Sequence, residues 1–175
     1  MTRDLELLNR QRLRPIRLPL LRRILRHLLV EELHLHTFTL GVALVEETEM
    51  VRLNETFLHH AGSTDVLTFP YDDAPASNRL AGEIVVCVTG ALSQAARFHT
   101  TWPSELVRYV VHGVLHLQGH DDTRPTPRAK MKRAENRLLR TLARRFPLPQ
   151  LDRTLRRLRT SPRPRLRSAQ PRPSS

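Results

Sequence analysis

The sequence predicts an α+β fold: a single small domain with a central, mostly buried sheet flanked by helices, followed by a disordered basic C-terminal tail. Three observations carry this expectation. Short β-branched and apolar runs alternate with segments of helical period, one of those helices is apolar almost all round, and the composition changes abruptly after Pro149. With 175 residues, 39% of them hydrophobic, the chain can bury one sizeable core. The domain is expected over residues 1–150 and the tail over 151–175.

The elements follow in chain order. In "LPLLRRILRHLLVEEL", Leu18, Leu21, Ile24, Leu25, Leu28 and Leu29 recur at helical spacing, with Arg22, Arg23 and Arg26 on the opposite side. This amphipathic helix packs on a sheet; Glu31 and Glu32, which follow directly, argue against a membrane-surface role. "LHTFTLGVALV" reads as a strand and "EETEMVRLNETFLHH" as a helix whose first turn gains from Glu46, Glu47 and Glu49 through the backbone dipole. "DVLTFP" is a second strand, ended by Pro70, and "YDDAPASN" is a loop. "GEIVVCV" is too apolar for alternation and is therefore a central strand, and "TGALSQAARFH" is a helix with Thr89 as N-cap. Pro103, Ser104 and Glu105 open the apolar helix "ELVRYVVHGVLHLQG", and Gly119 stops it. The amphipathic "RAKMKRAENRLLRTLARRF" closes the fold before Pro147.

Composition limits the partners. Lysine and arginine number 29 against 17 acids, a formal net charge of +12, and nearly all the basic residues are arginine. An anionic partner is expected, because the guanidinium matches phosphate in two-pronged geometry. Residues 151–175 hold eight arginines and one aspartate, so +7 of the charge falls there, and a polyanion is the expected partner of the tail. No run approaches the roughly 20 apolar residues of a membrane span, and "MTRDLELLNR" lacks the apolar region of a signal peptide. Cys87 is the only cysteine, which excludes an intrachain disulfide; inside "EIVVCV" it reads as a packing thiol. The expected location is the cytoplasm.

The segment "HGVLHLQGHDD", residues 112–122, carries the chemistry. His112 and His116 are four apart, so on a helix both imidazoles project from one face and two nitrogens can reach one metal ion. After the bend at Gly119, a third ligand can return from Asp122 or, if the helix ran on, from His120. The glycine break and the affinity of carboxylates for divalent ions favour Asp122. Three protein ligands leave a coordination position for water. Gly113 stands where a zinc peptidase of the HExxH type needs its glutamate base, so that class is disfavoured.

Three blocks, "LNETF" with "STDVLTFP", "AGEIVVC" and "HGVLHLQGHDD", agree in order and spacing with the YbeY family of metal-dependent endoribonucleases, which the chain resembles from about residue 11 to 146. The resemblance implies one zinc ion per chain, RNA as substrate, and a place in rRNA maturation and quality control of the ribosomal subunit. It implies His112, His116 and Asp122 as the metal-binding and catalytic set. Two departures stand out. The family usually has histidine where this chain has Asp122, and its preceding Tyr-Asp pair is here His120 and Asp121. An arginine expected after "LNETF" is replaced by Leu58, with His59 and His60 beside it. Arg52, Arg79 and Arg97 are candidate sources of positive charge at the cleft. Thr64, Asp65 and Glu83 are candidates for its wall, with a turn role favoured for Asp65, and Phe69 and Tyr71 are candidate base-stacking residues. Two other readings compete: a non-catalytic ribosome assembly or RNA-binding factor with a structural metal, and a metallohydrolase acting on another substrate.

Overall fold

The computed structural model describes residues 2–59, 61–72 and 78–154. Four strands, β1 (Arg3–Asn9), β2 (Thr37–Val45), β3 (Val66–Pro70) and β4 (Arg79–Cys87), form one sheet in the order β1-β2-β4-β3. The first three neighbours in that order run parallel, and β3 pairs antiparallel with β4. Among the described residues five α-helices accompany it: α1 (Leu18–His27), α2 (Glu47–Leu58), α3 (Val88–Phe98), α4 (Trp102–Leu117) and α5 (Pro125–Arg145). The α+β class stands, and β4 is interior, as its apolar run requires.

β1 was not anticipated from the sequence. Only Leu5 in this edge strand is fully buried, with Leu7 packed against the core, while Asp4 and Glu6 alternate with them. Charge on an edge strand discourages pairing with other chains, and it also weakens the periodic signal. The stripe on α1 buries Leu21, Ile24 and Leu25 as expected, then continues through a π-helical turn, Leu28–Glu32, that keeps Leu28 and Leu29 inside.

The large core lies between one sheet face and α1, α3, α4 and α5; a small second cluster, including Met50, Leu67 and Val85, lies under α2 on the other face. Cys87 is buried, as expected of a packing thiol, and its Sγ accepts the Gly90 N–H, so it caps α3. Thr89 does not have the N-cap role read from the sequence. Its hydroxyl instead accepts the Glu47 N–H at the start of α2, 3.1 Å away, because Thr89 already lies inside the helix.

The body extends beyond residue 150. Leu151 is fully buried, and Asp152 accepts the Trp102 indole N–H at 2.8 Å, so the expected boundary falls inside packed structure. From residue 155 onward the expected tail lies outside the described residues. Burial opposes the Asp152 charge, but hydrogen bonds from Thr154 and Trp102 outweigh it and hold the carboxyl below its usual 3.8. A depressed carboxyl stabilises the fold fully above its unfolded pKa, and that stabilisation is lost as pH falls through the folded value. Asp152→Asn is therefore expected to cost about 1–2 kcal/mol near neutral pH. The gap in melting temperature from the parent should narrow as acid protonates Asp152; a gap that stays constant down to about pH 2 contradicts this role.

Candidate metal centre

α4 runs through the middle of the domain because both its ends are fixed and nearly every side is apolar. Thr101 caps its first turn by accepting the Ser104 N–H, and Pro103 sits where its missing N–H costs nothing. Gly113 packs directly on β4: a Cβ there would stand 2.8 Å from Ile84 Cγ2. The position that holds glutamate in an HExxH helix is thus closed by the core. The same close approach fixes the height of His112 above the sheet.

The helix stops as the glycine predicts. Gly119 has φ 85° and donates to the His116 carbonyl, while His120 N–H reaches back to the Leu115 carbonyl, the paired bonds of a Schellman motif. Asp121 then spends its carboxylate locally, accepting from Thr123 N–H at 2.8 Å and the Thr123 hydroxyl at 2.6 Å; these bonds hold its carboxyl below the usual range. Asp122 is left to face the helix.

The result is a compact donor set. His112 Nε2 and His116 Nε2 are 3.1 Å apart, and Asp122 Oδ2 lies 3.5 Å from the first and 3.6 Å from the second. A tetrahedral ion with ligands at about 2.0–2.1 Å separates any two of them by about 3.3 Å, so the three atoms have the dimensions of one coordination face. The tautomers agree. His116 Nδ1 lies 3.1 Å from the His120 carbonyl, which can only accept, so Nδ1 carries the proton. His112 Nδ1 lies 3.0 Å from Glu135 Oε2 and donates to that carboxylate. In the neutral rings both Nε2 atoms therefore turn lone pairs toward each other and toward Asp122, an arrangement relieved by a shared cation. His120 supplies its carbonyl to this set; its ring is not in the group of donors that converge among the described residues.

Glu135 escaped the sequence reading. It is 3% exposed, on the face of α5 that also buries Met131, Leu138 and Leu142, and a lone acid in that apolar stripe was the available signal. Burial opposes its ionisation, but hydrogen bonds from His112, Lys132 and Arg108 prevail and bring its pKa down to about 2. Arg108 Nη1 lies 2.8 Å and Lys132 Nζ 2.7 Å from Oε1. One carboxylate thus joins the histidine of α4 to the cations of α4 and α5.

The donors open onto a cleft of about 340 Å³ whose wall includes Thr64, Asp65, Tyr109, Arg108, Arg128 and Lys132. Buried Asn54, from the "LNETF" block, donates to the Gly62 carbonyl and so steadies the loop leading to Thr64 and Asp65. Asp65 stands in the wall of the cleft, and its contacts are long-range where local turn bonds were expected: its backbone carbonyl accepts the Cys87 N–H beside the β3–β4 ladder, and its carboxylate lies against Gly90. Burial first, and then the Asp65 charge, push the Tyr109 phenol well above its ordinary value.

Other candidates lie elsewhere. Arg79 pairs with Asp72 at 3.3 Å, Arg97 covers the Phe98 ring, Arg52 is on α2, and none of the three lines the cleft. His59, in the left-handed conformation, ends α2 just after exposed Leu58, and His60 lies outside the described residues. Glu83 and Phe69 line a separate groove on the opposite sheet face, where Phe69 meets Phe57 edge-on; Tyr71 stands by Glu83. The sequence could not place these residues because face assignment depends on strand register.

A small α+β domain that offers two imidazoles from one helix and a carboxylate from the following turn, at an open cleft, has the architecture of a candidate metal site. Residues 8–143 match the family model described as Endoribonuclease YbeY, and the chain belongs to that family. It is 38% identical over 111 residues to Endoribonuclease YbeY of Myxococcus xanthus, covering 62% of this chain and 38% of the relative. Against the Rhodopirellula baltica protein of the same description it is 37% identical over 112 residues, covering 63% of this chain and 57% of the relative. The match thus spans less than two thirds of either relative. The fold resembles the solution structure of the Thermotoga maritima protein TM1509, with a TM-score of 0.58 and 26% identity over 79% of this chain and 88% of that one. Among the described residues no helix is long and apolar enough to cross a membrane.

Proposed function

We propose that this chain is a zinc-dependent endoribonuclease that holds one ion at His112, His116 and Asp122 and hydrolyses rRNA phosphodiesters during maturation and quality control of the ribosomal subunit, in the cytoplasm. The observation that carries this reading is the pair of facing Nε2 lone pairs closed by Asp122 Oδ2 at the mouth of a cation-lined cleft. Family membership supports RNA as the substrate class. Two nitrogens and one carboxylate oxygen form a donor set suited to zinc.

When bound, the ion supplies positive charge for the developing oxyanion and acidifies water. The protein's own groups do the rest. Glu135 and the His120 carbonyl fix the two imidazoles in the tautomer that keeps Nε2 free. Asp122 lowers the net charge of the site and is partly exposed, which leaves one side of the centre open to substrate. The Arg-rich segment 151–175 adds an attraction for polyanions that does not depend on sequence.

The test is direct. Nuclease-free protein should cleave single-stranded RNA, lose that activity to a chelator and regain it with one equivalent of zinc. RNA that is bound but left intact by the loaded protein would instead make the chain an assembly factor with a structural metal.

A further inference from the structure

We propose that Arg108, Arg128 and Lys132 form a preset clamp for successive phosphates of one RNA strand beside the metal centre, an inference that rests on the RNA-hydrolase reading above. All three line the cleft that His112 and Asp122 also line. Each uses some of its donors to fix its own position and has others left over. Arg108 directs Nε to Glu105 and Nη1 to Glu135 and Asn136, while its Nη2 enters no hydrogen bond among the described residues. Arg128 donates from Nε to the Asp122 carbonyl at 2.7 Å and from Nη2 to the Thr123 carbonyl, with Nη1 likewise uncommitted among the described residues. The Lys132 ammonium gives one N–H to Glu135, and two remain.

Such anchoring removes most of the side-chain entropy that a free arginine or lysine loses on binding, so the remaining N–H groups meet a phosphate at little further cost. Arg128 and Lys132 are one turn apart on α5, about 6 Å along the axis, and can address neighbouring phosphates of an extended strand. Charge balance makes them decisive. The acids in the lining, Asp65, Asp122 and Glu135, equal the three cations in number, so a divalent ion brings the cleft to +2. Without Arg128 and Lys132 the loaded cleft would be neutral.

The experiment measures binding rather than turnover. A fluorescein-labelled single-stranded oligodeoxynucleotide of about 12 nucleotides is titrated with the zinc-loaded full chain over a KCl series. Arg128→Ala/Lys132→Ala should weaken binding about tenfold near 0.1 M KCl and flatten the log-log salt dependence by about 1.4, since each single-strand phosphate contact contributes about 0.7. Arg133→Ala/Arg140→Ala removes the same charge from exposed positions of α5 outside the cleft lining, and should shift the slope by less than half as much. Lys132→Arg should keep the parental slope. If the double variant sheds zinc because Arg128 also holds the Asp122 loop, Lys132→Ala alone should still flatten the slope by about 0.7. Equal losses in both double variants, or none in either, overturn the clamp. RNA cleavage by the parent, followed in parallel, separates the two ideas. Cleavage without any slope change overturns the clamp alone, and clamp-dependent binding without cleavage overturns the nuclease reading alone.

Discussion

Replacing His116 with alanine is expected to strip zinc from the protein and to lower RNA cleavage by about 10³-fold or more, while the domain stays folded. The size of the effect follows from the donor count. Among the described residues three side chains converge, and loss of one leaves His112 Nε2 and Asp122 Oδ2 to hold the ion. Stability is largely spared because the His116 side chain is 27% exposed and the packing of α4 rests on fully buried neighbours such as Val110, Val111 and Val114. Metal content per chain and single-turnover cleavage check this together. A His116→Ala protein that keeps a full equivalent of zinc, or cleaves at the parental rate, would remove the imidazole pair from the site.

The second large effect is expected at Glu135. Its carboxylate receives His112 Nδ1 at 3.0 Å and balances Arg108 and Lys132 while almost wholly buried. Glu135→Gln keeps the shape but removes the charge, and its amide turns donors toward two cations; zinc affinity should fall by about 10–100-fold. Glu135→Ala removes the carboxylate that His112, Arg108 and Lys132 share and should also cost about 1–3 kcal/mol of stability, since both cations reach solvent. Competition against a chelating dye measures the first effect and thermal melting the second. Parental zinc affinity in Glu135→Gln would show that the carboxylate joins α4 to α5 without orienting the metal ligand.

The contrast between these residues shows what a sequence can disclose. His112, His116 and Asp122 were legible because a single helix, one glycine and one turn bring them together; everything needed lies within residues 112–122. Glu135, Arg108, Arg128 and Lys132 are brought to one cleft by the packing of α5 against α4, and no local spacing encodes that contact. The fold divides in the same way. α1, α4 and β4 announce themselves through long apolar patterns, whereas β1 depends on pairing with β2, from Arg3 opposite Phe38 to Asn9 opposite Leu44, to become a strand. Thr89 shows the limit for caps: its hydroxyl serves the next-door helix, a partner 42 residues away in the chain.

Crystals of the full chain grown with zinc, measured on both sides of the zinc absorption edge, provide the most direct test of the metal centre. One anomalous peak should appear, about 2.0–2.2 Å from His112 Nε2, His116 Nε2 and an Asp122 carboxylate oxygen, with a non-protein ligand completing the shell. A peak bound to the His120 ring in place of Asp122, or no peak at these residues with zinc in excess, would contradict it.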